Sequence, residues 1–377
     1  MMPLNQSHLL QMSGLLAEAL GAAAGGCALL LIVIIIIVLC LQHRKRTSDS
    51  SESGFSDQAL PESQEARCLS LEELNFATRN FSNGNLIGQG TFGEVYKGLL
   101  QDGTIVAVKR RHSPPSQEFI QEVNYLASLC HWNLVKLLGY CQEDGMQMLV
   151  YEYISNGSVS THLHGNSHAL GSRLEFKKRL SIAHGTAKGL SHLHSLTPPA
   201  VHMNFKTSNV LVDEDFAPKV ADTGIPGMLD RLGVTGLSSR TFNDPFVEPR
   251  MKEAMNLNFS IQSDVYSFGV FLLELISGRK AVSDQCIIQW AQSFQESSDI
   301  SVIADSRMAG GFTSQSMKEL LSLTARCVNP TSEQRPSMSS VEAEIQRIRE
   351  QEISLTAVMA EGTPTVTLGS QLFRTSR

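Results

Sequence analysis

From Ala22 to Leu41 the chain runs for about twenty residues without a charge, dense in Ile32 and Ile34 to Ile37, with no polar stripe at helical spacing. A buried helix of a soluble core would carry such a stripe, so the pattern predicts a membrane-spanning helix over 22–41. His43, Arg44, Lys45 and Arg46 follow at once, whereas Met1 to Gly21 holds no Lys or Arg. This asymmetry places segment 1–21 outside the cytosol and everything after the span inside it. Ala17-Glu18-Ala19 has the small-x-small form of a signal cleavage site, but the residues before it lack a basic start and a continuous apolar stretch.

Beyond the span the pattern changes twice. Thr47 to Ala66 is rich in Ser, Glu and Asp and too polar to form a core, which predicts a flexible juxtamembrane linker over 42–68 and a plausible target for phosphorylation. Ser70 with Glu73 forms a capping-box pair, and Leu71, Leu74, Ala77 and Phe81 follow on helical spacing, so a short amphipathic helix opens a folded domain over 69–350. Between Leu86 and Val108, Gly-rich turns alternate with β-branched runs such as Thr104-Ile105-Val106-Ala107-Val108. Later segments are helical, as at Leu180, Ala183, Ala187, Leu190 and His194. The expected class is therefore α+β, a small β-rich part before a larger helical one, with 351–377 as a loosely ordered polar tail.

Composition narrows the chemistry. The 377 residues, 42% hydrophobic, suffice for one large core or two modest ones. The formal net charge of -6, with acids and bases mixed along the chain, provides no basic stripe and excludes nucleic acid as a partner. Cys27 and Cys40 fall in the apolar span, and Cys68, Cys130, Cys141, Cys286 and Cys327 are scattered without CxxC pairing, against disulfides and structural zinc. The pairs His162/His164 and His192/His194 are spaced i, i+2, which points them to different helix faces and makes them poor metal clamps.

Gly88-Gln89-Gly90-Thr91-Phe92-Gly93 gives GxGxxG, whose glycines admit a close phosphate. A dinucleotide-binding fold needs a helix straight after the glycines. Here Glu94 to Gly98 and a turn at Asp102-Gly103 lead into a second strand ending at Lys109, which predicts a hairpin over a nucleotide. Val106-Ala107-Val108-Lys109 after this loop, Asp222 and Gly224 flanking one residue, and Ser263-Asp264-Val265-Tyr266-Ser267-Phe268-Gly269 together resemble the protein-kinase signature set. The resemblance covers roughly residues 70 to 350. Asn133 to Cys141 (NLVKLLGYC) and Leu149 to Tyr153 (LVYEY) are similar, more narrowly, to plant receptor-like kinases and their Pelle and interleukin-receptor-associated relatives.

The resemblance implies a two-lobed eukaryotic protein-kinase fold and ATP with Mg²⁺ or Mn²⁺ as cofactors. By it Gly88, Gly90 and Gly93 cover the phosphates, and Lys109 binds the α- and β-phosphates and pairs with Glu122. Val95, Ala107 and Leu211 sandwich the adenine, Tyr151 to Tyr153 supply the gatekeeper and hinge, and Asn209 and Asp222 hold the metal. The catalytic loop departs from the pattern: His-Arg-Asp reads His202-Met203-Asn204, although Lys206 and Asn209 are kept. An amide at 204 can orient a hydroxyl but cannot take its proton, a loss of about 10² to 10⁴ in rate or roughly 3–5 kcal/mol. Met203 removes the arginine that often pairs with an activation-loop phosphate, and Thr223 replaces the aromatic of Asp-Phe-Gly.

The Ala-Pro-Glu region is irregular, with Asp244-Pro245-Phe246 and Glu248-Pro249-Arg250. Arg250 in the glutamate position would face Arg335 of Gln334-Arg335-Pro336 and repel it, with Glu248 or Glu253 as substitutes. The leading expectation is a receptor-like pseudokinase, single-pass in the plasma membrane with its kinase-like domain in the cytosol, acting through an active receptor-like kinase or that kinase's substrate. The alternatives are a weakly active Ser/Thr kinase and a scaffold that holds no nucleotide.

Overall fold

A computed structural model describes residues 66–111, 115–165, 174–233, 244–253, 258–283, 303–308 and 311–361. The span expected at 22–41, the basic residues after it and nearly all of the linker lie outside the described residues. Among the described residues, no helix is long and apolar enough to cross a membrane.

Six strands form one sheet: β1 (Arg67–Cys68), β2 (Leu86–Gln89), β3 (Gly93–Leu99), β4 (Ile105–Arg111), β5 (Leu137–Glu143) and β6 (Met146–Glu152), in the order β1-β5-β6-β4-β3-β2. Every pairing is antiparallel except β1 with β5, which run parallel with Arg67 beside Gly139 and Cys68 beside Tyr140. The linker's last residues thus form an edge strand. A Cβ on Gly139 would come within 2.4 Å of the Arg67 carbonyl oxygen, so only glycine lets β1 lie this close. The hairpin expected after the Gly-rich turn is present as β2, β3 and β4, with no helix following the glycines.

Side chains alternate across this sheet and serve two cores. Val106 and Val108 of β4, with Met148 and Val150 of β6, pack with Leu69, Leu74 and Ala77 on the face covered by α1 (Leu71–Thr78). The Ser70 hydroxyl caps α1 by accepting from Glu73 N at 3.1 Å, while the Glu73 carboxylate bonds Arg67 at 2.9 Å, so Glu73 is turned away from the reciprocal half of a capping box. Leu149 and Tyr151 of β6 belong to the second core, which Ala107 joins from β4 and α2 (Phe119–Ser128) from beside the sheet, and which continues into the helical lobe.

That lobe comprises α3 (Val159–His164), α4 (Phe176–Ser195), a small hairpin of β7 (Val210–Val212) with β8 (Pro218–Val220), α5 (Ile225–Arg231), α6 (Pro249–Glu253), α7 (Ile261–Ser277), α8 (Ser314–Cys327) and α9 (Met338–Glu361). Leu180, Ala183, Ala187 and Leu190 form the buried stripe of α4, as their spacing predicts. α9 runs past residue 350, where a tail is expected to begin, to Glu361. Its continuation is fastened by Glu352, which is fully buried and accepts from the Thr313 backbone N and hydroxyl at the start of α8.

Candidate functional site: an internally paired cleft

The Gly-rich turn is built by close approach. Gly90 N donates to Gly93 O at 2.9 Å, and a Cβ on Gly93 would sit 1.7 Å from the Arg110 carbonyl oxygen of β4, so this position excludes any side chain. Phe92, at the tip of the turn, is buried in the core shared with α2. Across β3, β4 and β6, Val95 pairs with Lys109 and Ala107 with Tyr151, which sets these four on one face. The Lys97 ammonium lies 4.6 Å from the centre of the Tyr153 ring. Leu211, half-buried on β7, lies in the helical lobe.

The loop around Asn204 hangs from one carboxylate. Asp264, buried on α7, accepts from His202 N at 2.7 Å, Met203 N at 3.1 Å and His194 Nε2 at 2.9 Å. Burial holds His202 below the usual imidazole pKa, and its Nε2 donates to Ala221 O at 2.9 Å, leaving Nδ1 to accept from Asn204 N at 3.3 Å. Asn209 is fixed by its Nδ2, which donates to Asn204 O at 2.9 Å, and by its own carbonyl, which accepts from Ala221 N at 2.7 Å. Lys206 Nζ lies 3.9 Å from Asp244. Position 204 therefore presents a neutral amide within an otherwise well-held loop.

The ion pairs differ from those that the resemblance implies. Lys109 is bonded to Asp222, whose side chain is 17% exposed against 13% for Lys109. Glu122 faces Arg231 instead, with Nε to Oε1 at 2.7 Å and Nη2 to Oε2 at 2.6 Å. The cause is α5: Gly224, in the left-handed region at φ 75°, turns the chain directly into this helix, whose last residue is Arg231. Gly224 also lies against α2, where a Cβ would meet Leu126 at 2.7 Å. Burial pushes the Lys109 ammonium down to about 7, while the Asp222 carboxylate against it favours the charged form.

Two buried hydroxyls, Tyr151 Oη and Thr223 Oγ1, have no partner, and burial pushes the Tyr151 phenol up. The donor set that would receive a divalent cation is Asn209, a neutral amide, and Asp222, a carboxylate already carrying an ammonium. One carboxylate and an amide oxygen, completed by nucleotide phosphates and water, suit Mg²⁺ once Asp222 is released from Lys109.

Further along, Glu248 occupies the position facing Arg335, at 2.5 Å with side-chain exposures of 9% and 1%. The repulsion expected from Arg250 is thus absent at this pair. Arg335 also donates to Asn329 O and Gln262 O, and Glu248 accepts from the Ser263 hydroxyl at 3.0 Å. The four histidines singled out in the sequence are engaged separately: His162 with Asn156 O, His164 with Ser160, His192 stacked on His131, and His194 with Asp264.

Comparison with known proteins accounts for this architecture. Residues 81–345 match the family model of protein tyrosine and serine/threonine kinases. The chain is 35% identical over 301 residues to wall-associated receptor kinase-like 20 of Arabidopsis thaliana, covering 75% of this chain and 46% of that protein, so it spans about half the relative's length. It is 38% identical over 313 residues to serine/threonine-protein kinase CDG1 of the same plant, covering 78% of this chain and 72% of CDG1. The solved pseudokinase domain of BIR2, described as an immune regulator of the RLK/Pelle family, superposes with a TM-score of 0.63 at 33% identity, over 74% of this chain and 86% of that one. The chain belongs to the protein kinase family, with plant receptor-like and Pelle-type kinases as its relatives and pseudokinases among its structural neighbours.

Proposed function

We propose that this chain is a receptor-like pseudokinase that binds ATP in the cleft beneath β2 to β4 and signals through protein contacts, with little or no phosphoryl transfer. The observation that carries the reading is the joint state of three residues: Asn204 offers no base, Glu122 is held by Arg231, and Lys109 is left with Asp222. Lys109 remains the group for the phosphates, Val95, Ala107 and Leu211 for the adenine faces, and Tyr151 to Tyr153 for its edge. Anchoring by a helix over 22–41 in the plasma membrane, with the kinase-like domain in the cytosol, rests on the apolar run, the basic residues after it and the receptor-kinase relatives. A protein partner, either an active receptor-like kinase or its substrate, is the proposed recipient of the signal.

A weakly active Ser/Thr kinase is the second reading, favoured by Lys206 near Asp244 and by a firmly positioned Asn209. Transfer of labelled γ-phosphate by the solubilised full chain separates the two. Pseudokinase behaviour means no incorporation above a Lys109→Met control, whereas incorporation that vanishes with Lys109→Met establishes a slow kinase.

A further inference from the structure

The chain has six tyrosines, and all of them lie among the described residues. Tyr96, Tyr151 and Tyr266 are buried, Tyr140 and Tyr153 are half-buried, and Tyr125 of α2 is the exposed one, at 38%. The guanidinium of Arg231 lies over its ring, 5.1 Å from the centre. We propose that Tyr125 is a phosphorylation site for a separate kinase able to modify tyrosine, and that Arg231 receives the phosphate. The inference does not depend on nucleotide binding by this chain.

The receiving group is already in place. Glu122 and Tyr125 stand three residues apart on α2 and so share one face of that helix, and Arg231 meets both. Arg231 engages Glu122 through Nε and Nη2. Its Nη1 makes neither bond, and the side chain is 49% exposed, so a phosphate on the Tyr125 hydroxyl finds N–H donors without breaking the pair with Glu122. The added charge is about −1.5 to −2 at neutral pH. One turn from Glu122 it would repel that carboxylate, and the guanidinium between them reverses the sign.

Tyr125 also lies beside Gly224, where a Cβ would meet its Cε1 at 3.6 Å, so the site is the junction of α2 with the start and end of α5. Modification therefore ties α2 to α5 more firmly and holds Glu122 where it is. In the transfer, Tyr125 Oη attacks the γ-phosphorus of ATP held by the other kinase. The new O–P bond replaces the one to the β,γ-bridging oxygen, ADP leaves, and the phenolic proton passes to that kinase's base.

Two measurements on the solubilised full chain test this. First, the native protein and Tyr125→Phe are incubated with ATP, Mg²⁺ and a purified protein tyrosine kinase, and phosphate is located by peptide mass spectrometry. Second, phosphotyrosine is installed at position 125 by codon suppression in the native, Arg231→Ala and Arg231→Lys backgrounds, and each melting temperature is compared with its unmodified counterpart. Phosphate is expected on Tyr125 ahead of every other tyrosine. The modification should raise the native melting temperature by about 2 °C and lower that of Arg231→Ala by a similar amount. Arg231→Lys, which keeps the charge but loses the planar fork, should retain only part of the rise. Incorporation mainly at another tyrosine, or none that Tyr125→Phe abolishes, overturns the site. A native shift that is absent, negative or equalled in both Arg231 variants overturns Arg231 as the receiver.

Discussion

Arg231 and Glu122, 109 positions apart in the chain, face each other through two parallel hydrogen bonds of 2.7 and 2.6 Å, and this pairing leaves Lys109 to Asp222. On the reading proposed above, two separate features act against phosphoryl transfer, one in the charge network and one at residue 204.

Restoring the carboxylate alone repairs only one of them. Asn204→Asp is expected to leave transfer of labelled phosphate close to the native level, while Asn204→Asp combined with Arg231→Ala raises it above either single variant, within the roughly 10²- to 10⁴-fold range of a general base. Equal activity of the double variant and Asn204→Asp would show that Arg231 does not limit the chemistry.

Glu248 and Arg335 are a buried pair with further hydrogen bonds on both sides. Glu248→Ala leaves a buried guanidinium without its charge partner and is expected to cost about 3–5 kcal/mol in denaturant unfolding. Arg250→Ala, two residues away, should change stability by no more than about 0.5 kcal/mol.

Acidification should loosen the fold before carboxylates titrate. Burial, with Lys188 and other cations nearby, holds His131 and His184 at about 4, below the free value of 6.5. The unfolded chain then binds more protons between these limits, so stability is full above pH 6.5 and declines as pH falls toward 4. Melting temperatures measured from pH 7.5 to 4.5 should fall accordingly, and His184→Gln should flatten part of the slope. Asp305, held at about 2 chiefly by its bonds to Arg307 and Arg179 against the opposing effect of burial, adds a second loss only below about pH 4.

Glycines of the nucleotide turn should separate sharply. Nothing lies within 4 Å of a Cβ at Gly90, whereas one at Gly93 meets the Arg110 carbonyl oxygen. Gly93→Ala should lower the melting temperature and weaken ATP-analogue binding, and Gly90→Ala should leave the melting temperature unchanged.

The hairpin, α1 and α4 were legible in the sequence because alternation and helical spacing record a burial pattern that local residues settle. Asn204, Asn209 and Asp222 were legible because short motifs fix them. Arg231 was not, since its partner depends on α5 beginning directly at Gly224, and a small residue such as Thr223 carries no signal for that turn. Asp264 stood inside a recognised motif, but its three hydrogen bonds to the catalytic loop and α4 come from segments more than sixty residues distant. Glu248 was one of several carboxylates near Arg250, and only packing against Ser263 and Arg335 selects it. The tail boundary failed because Glu352 is a polar residue buried by a specific bond to Thr313, which periodicity cannot foresee.

The parallel seating of β1 against β5 has a mechanical consequence. A pull directed along the chain from its N-terminal side would load the contacts at Arg67–Gly139 and Cys68–Tyr140, with Leu69 N to Tyr140 O behind them, in shear. β5 is hydrogen-bonded along its length to β6, which ends at Tyr151 and Glu152 beside Tyr153. Force arriving at Arg67 would therefore reach Tyr153 through only two strands.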